Sequence, residues 1–107
     1  MTDIRLLLST APSAESAESV VATLVAERLI ACGNITVPIT SLFHWRGETE
    51  RAGEVLVIMK TTESAVAAVT RRIVELHPYE VPEVLSLPVL GGYEPYLSWV
   101  RESVANQ

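Results

Sequence analysis

The sequence predicts a single α+β domain, residues 1–107, whose elements run β-α-β-β-α-β with one further helix at the C-terminal end. Three observations predict it. Short apolar or alternating runs suited to strands interleave with segments whose apolar residues recur at helical spacing. Proline and glycine stand at most of the junctions. A chain of 107 residues is long enough for one hydrophobic core and too short for two, since single domains commonly hold about 100 to 200 residues.

Ile4 to Thr10 (IRLLLST) is a short apolar run closed by Ala11-Pro12, which suits a buried first strand. From Ser13, the expected N-cap, residues Ala17, Val20, Val21, Leu24, Val25 and Leu29 fall in one stripe at 100° per residue, an amphipathic first helix. Arg28 lies in the same stripe, so its stem should pack while its guanidinium reaches outward or finds a carboxylate. Gly33-Asn34 offers a permissive exit from that helix.

Between Ile35 and Trp45 the odd positions read Ile35, Val37, Ile39, Ser41, Phe43 and Trp45, the alternation of a half-buried strand. Pro38 cannot donate to a ladder and predicts an edge or a bulge there. Gly47 to Gly53 (GETERAG) is charged and bounded by glycine, which predicts a hairpin tip. Glu54 to Thr61 (EVLVIMKT) is apolar on both faces, as a central strand is.

Thr62 or Ser64 is placed to cap a second helix carrying Val66, Val69, Ile73 and Leu76, which must stop before Pro78 because the residue preceding proline avoids the αR region. HPYEVPE then forms a rigid connector, and Val84 to Val89 a fourth strand with Pro88 marking an edge or a termination. Gly91-Gly92 breaks the chain, Pro95 suits a first helical turn, and Leu97, Val100 and Val104 give the last helix an apolar side. This order is the ferredoxin-like split β-α-β arrangement, two helices on one face of an antiparallel sheet. With the central strand apolar on both faces, the other sheet face should also be dry, and neighbouring subunits are the economical cover.

Thirteen acidic and eight basic residues give a net charge of −5 with no basic patch. Such a surface repels phosphate backbones, so nucleic acid is not an expected partner. The hydrophobic fraction is 49%; a chain this short buries only about 60 to 70% of its unfolded surface, which again asks for a partner. Cys32 is the one cysteine, so no disulfide forms within the chain. The segment MTDIRLLLSTAP resembles neither a signal peptide nor a membrane span, and a cytoplasmic location without a membrane partner is expected.

Several segments carry a family resemblance: STAP after the first strand, AERLIACGNI, SLFHWRGETE, VIMKTT, ELHPYEVPE and GGYEPYLSWV. ELHPYEVPE is the most diagnostic, with Trp45, Lys60 and YLSW in the expected order. Together they resemble the CutA divalent-cation tolerance family from end to end. The resemblance implies a homotrimer of ferredoxin-like subunits with hairpin strands pairing across subunit boundaries, and an association with divalent-metal tolerance, copper in particular. Copper ligands proposed in such proteins, a cysteine just before TAP and paired histidines before Pro-Tyr, correspond here to Ser9, Leu76 and His77, of which His77 alone matches.

His77 is thus the candidate metal ligand, or else an anchor of the connector through hydrogen bonds. Lys60, Tyr79, Glu80 and Glu83 either line a small polar pocket that takes an anion or metabolite, or form a paired structural network. Trp45 and Trp99, with Tyr96, read as core or interface aromatics. Cys32 reads as a packed thiol, or alternatively as a capture site for a soft metal. No nucleophile-base pair, phosphate loop or metalloprotease helix is present, so an enzyme is not expected. Two functions follow: a trimeric, non-enzymatic cation-tolerance protein with weak metal binding or a scaffold role, or a metabolite-binding signalling trimer of the PII-like kind, for which fold analogy speaks.

Overall fold

The computed structural model describes residues 1–105. Strands β1 (Ile4–Ala11), β2 (Cys32–Ile35), β3 (Ile39–Trp45), β4 (Glu48–Thr62) and β5 (Leu85–Pro88) form one antiparallel sheet in the order β2-β4-β1-β5, with β3 pairing β4 beyond β2. Helices α1 (Ala14–Ala26) and α2 (Val66–Leu76) lie on one face, and α3 (Glu94–Ser103) follows β5. This is the expected split β-α-β succession, with two strands, β2 and β3, where one was expected between α1 and the central strand.

Ser13 caps α1 as its sequence position predicts: extended at φ −156°, it accepts a bond from the Ser16 N–H at 3.1 Å. Ala17, Val21 and Leu24 from α1 and Val69 and Ile73 from α2 bury against Leu7, Ala11, Val55, Val57 and Met59 of the sheet. Val25 departs from the predicted stripe and remains exposed, whereas Leu29 packs against the core but lies beyond the end of the helix at Ala26.

The exit from α1 is not at Gly33. Arg28 takes the left-handed conformation there at φ 58°, and the Leu29 N–H returns to Leu24 O at 3.0 Å. Nor does Arg28 find a carboxylate: its guanidinium donates to the Glu102 and Ser103 carbonyls at 2.8 and 3.3 Å, at the C-terminal end of α3 where unpaired carbonyls concentrate. Gly33 serves packing instead. A Cβ on it would stand 2.7 Å from Val21 Cγ1, so the missing side chain lets α1 settle onto β2.

Three further boundaries differ from expectation. The strand predicted over 35–45 is split at 36–38, where Pro38 withholds a ladder donor and the chain passes from β2 to β3 along the same side of β4. The hairpin tip is the two-residue turn Arg46-Gly47, both with positive φ (50° and 84°), as tight antiparallel hairpins require. Most of GETERAG therefore belongs to β4, which runs for 15 residues. Thr62 and Ser64 do not cap α2; their hydroxyls meet each other at 3.2 Å, and a single 3₁₀ turn, Glu63–Ala65, leads into the helix.

Alternation places Leu6 and Leu8 of β1, Leu56 and Ile58 of β4, and Leu85 and Leu87 of β5 together on the face away from α1 and α2, in register across the three strands. α3 packs on β1 and β4 at one end of this face, held by Arg101 on Asp3 at 2.8 Å and by Tyr96 beside Cys32. The rest is open, with Leu85 54% exposed. Beyond Val55, β4 also has no β1 partner, so residues 48–54 pair only with β3 and leave their other edge free. The hairpin projects, and the molecule measures 44 × 25 × 23 Å.

Substituting Gly33→Ala forces a methyl against Val21 and is expected to lower stability by about 1–3 kcal/mol, whereas Gly53→Ala, which meets nothing within 4 Å, costs none. Urea unfolding of the two variants checks the contrast.

Candidate functional site

The site grows from the connector after α2. Pro78 holds His77 out of the helical region at ψ 140°, which ends α2 and turns the imidazole inward until it is 8% exposed. Its Nδ1 accepts from the Tyr79 N–H at 3.1 Å, which leaves the proton on Nε2 for donation to the Thr10 carbonyl at 2.6 Å. Both ring nitrogens are spent on the backbone. The ring also packs on Tyr79, with centroids 4.7 Å apart.

Tyr79 carries the network on to β4, its hydroxyl donating to Glu54 Oε2 at 2.6 Å. Glu54 is 6% exposed, the more buried partner of a charge-assisted bond. Burial pushes its carboxyl up, but the hydroxyls of Tyr79, Ser41 and Thr10, with His77 nearby, outweigh that and hold it below the usual glutamate range. The same pair, through burial and then the Glu54 carboxylate, raises the Tyr79 phenol well above its ordinary value.

The predicted residues are gathered only in part: Trp45, Tyr79 and Glu80 come together between hairpin and connector, while Lys60 lies elsewhere and Glu83 does not line that groove. Glu80 pairs with Arg46 at the hairpin tip (2.6 Å), and Arg46 in turn lies 5.3 Å from the centre of the Trp45 ring. Lys60 stands opposite Leu6 and Cys32 and donates to Asn34 Oδ1. Since Lys60 is six residues along β4 from Glu54, about 20 Å at strand rise, it does not share a pocket with Tyr79. Glu83 makes no hydrogen bond or ion pair among the described residues. Trp45 and Trp99 are 39% and 44% exposed, and Trp99 lies against Tyr96 with centroids 5.5 Å apart. Cys32 is half-buried rather than fully packed, its Sγ 3.9 Å from the Tyr96 hydroxyl.

The donors at the positions of the proposed copper ligands do not make a metal set. Leu76 has no donor atom, Ser9 offers a hydroxyl, and His77 has no free nitrogen. No group of three or more His, Cys, Asp or Glu among the described residues is arranged to hold a metal ion. What the connector and hairpin do form is a groove of about 500 Å³, lined by Phe43, Trp45, Glu50, Glu54, Tyr79 and Glu80 among others. Glu54 and Arg46 escaped the sequence reading. The one signal for Glu54 is a carboxylate opening an otherwise apolar strand, a place where a buried acid needs donors from elsewhere.

Because the Glu54 carboxyl lies lower folded than unfolded, the stability it supplies is complete above the ordinary glutamate range and is lost as pH falls through that range and below it. Glu54→Gln is expected to flatten the acid limb of the stability profile. Tyr79→Phe, which removes a donor from a buried carboxylate, should cost about 1–3 kcal/mol at neutral pH. Thermal melts from acid to neutral pH measure both.

Residues 5–103 match the family model described as CutA1 divalent ion tolerance protein. The chain is 43% identical over 98 residues to the divalent-cation tolerance protein CutA of Thermus thermophilus, covering 92% of this chain and 95% of that protein. It is 44% identical over 100 residues to mouse protein CutA, where the match covers 91% of this chain and 56% of the longer relative. The crystal structure of CutA from Xylella fastidiosa superposes with a TM-score of 0.94 at 35% identity, over 97% of this chain and all of that one. None of these names describes a known enzyme family. Built on the same split β-α-β frame and matched along nearly its whole length, the chain belongs to the CutA family of divalent-cation tolerance proteins.

Proposed function

We propose that this chain acts in divalent-cation tolerance as a non-catalytic homotrimer, a scaffold whose cation binding is weak and spread over an acidic surface rather than centred on a copper site. The observation that carries the reading is the open apolar sheet face made by Leu6, Leu8, Leu56, Ile58, Leu85 and Leu87. Half-buried Leu6, Leu8, Leu56 and Ile58 with exposed Leu85 and Leu87, in register across three strands, form a contiguous patch, and such patches mark assembly surfaces. Closed rotational symmetry satisfies an identical patch on each copy. The free edge of β4 at residues 48–54 and the exposed Leu42 and Phe43 of the hairpin add backbone groups and apolar area to the same task.

Weak cation binding is supported by the net charge of −5 and by the spent nitrogens of His77. A metabolite-binding signalling trimer of the PII-like kind would use a long mobile loop to carry ligand contacts. The hairpin here closes in the two-residue turn Arg46-Gly47, which favours the scaffold.

Light scattering is expected to report about three times the 11.7 kDa chain mass, and a monodisperse monomer would remove the basis of the reading. Calorimetry with Cu²⁺ should show no submicromolar site, with His77→Ala changing the copper isotherm little; a tight site abolished by that substitution would contradict it.

A further inference from the structure

Assembly through the open sheet face would carry charged side chains with it, and a half-buried charge needs a partner once water leaves. The ion pairs within the chain identify which charges lack one. Arg5, Arg46, Arg72 and Arg101 hold Glu63, Glu80, Glu27 with Glu75, and Asp3 with Glu94, respectively. Glu54 holds Tyr79, and Arg28 holds carbonyls of α3. Arg51 and Arg71 are exposed, so water serves them. Lys60 remains: half-buried, on the same face as Leu6 and Ile58, and bonded to the neutral Asn34.

Among the acids, Glu15, Glu18, Glu48, Glu50 and Glu102 have no ion pair among the described residues but are exposed, so water serves them. Glu83 is different, half-buried and without a hydrogen bond or ion pair among the described residues. It lies two residues before Leu85, which is on the open face. Within one chain the two groups cannot meet: Leu87, four residues past Glu83, is the residue in line with Lys60, and β1 lies between β4 and β5.

We propose that Lys60 of one protomer pairs with Glu83 of the partner subunit, an interchain ion pair that fixes how the apolar faces align. This rests on the assembly reading above. A greasy face alone tolerates sliding and rotation, whereas a charge pair at its margin penalises every arrangement that leaves an ammonium and a carboxylate apart. The residues that one chain holds apart are thereby brought together by two.

Charge reversal tests the pair on the full-length protein, with association followed by sedimentation over a dilution series. K60E and E83K are each expected to weaken association about 30-fold or more, and K60E/E83K to return to within about threefold of the parent. Losses that simply multiply in the double variant overturn the pair. A monomeric parent protein overturns the assembly reading and the pair with it, so the two failures are told apart. If a reversed charge prevents folding, as circular dichroism would show, K60M, E83M and K60M/E83M carry the same test. Each single methionine strands one charge and weakens association, and the double associates more tightly than either. A double variant no better than the weaker single rejects the proposal.

Discussion

The structure depends on one constraint: its central strand is apolar on both faces while the chain owns helices enough to cover only one. β4 sits between β2 and β1 and donates Val55, Val57 and Met59 to the core beneath α1 and α2. Its opposite side chains, Leu56 and Ile58, continue the leucines of β1 and β5 into a second apolar surface. α3 reaches only the end of that surface near Cys32 and Asp3. Other exposed features accompany this uncovered surface. The hairpin runs past the sheet, the β4 edge is left without β1, and the aromatic residues Trp45, Tyr96 and Trp99 stay partly in water. A sheet that is apolar on both sides leaves, on the side its own helices do not cover, the kind of contiguous patch that marks an interaction surface.

The connector supplies the second organising element. Pro78 ends α2 and aims His77 at the Thr10 carbonyl, and Tyr79 then ties the same segment to Glu54. Helix, first strand and central strand are joined by hydrogen bonds between groups that would each be costly to bury alone. The arrangement explains why a histidine at this place need not be a ligand. Its imidazole is fully used in holding the backbone, and the neighbouring positions bear a serine and a leucine where a copper set would need sulfur and nitrogen. Membership in a cation-tolerance family is therefore compatible with donors that, among the described residues, do not converge on a metal.

How far the site was legible depended on sequence distance. The HPYEVPE segment announced itself, because prolines constrain their own neighbours and no tertiary information is needed to see it. Its partners did not: Glu54 is 25 residues from Tyr79 and Arg46 is 34 from Glu80. The sequence offers Lys60 as a pocket neighbour of Tyr79. The connector does approach β4, but at the hairpin end, so Glu54 occupies the place given to Lys60. Which strand position meets the connector is set by the register, which the sequence does not give.

By itself the sequence determined the succession of strand and helix regions, the Ser13 cap, the stop before Pro78, the buried sides of α1 and α2 and the two-sided apolar character of the central strand, but not the division of the second strand region into β2 and β3. These depend on periodicity and on backbone restrictions that act within a few residues. Only the tertiary structure decided that Arg28 rather than Gly33 turns the chain after α1, that the hairpin closes at Arg46-Gly47, and that Glu54 receives the Tyr79 hydroxyl. Each of those choices is settled by contacts with residues far away in the chain. A glycine can be reserved for the close approach of Val21, and an arginine accepts a positive φ once its side chain is anchored on the end of α3, because the energy of a long-range contact exceeds a local preference of about 1 kcal/mol.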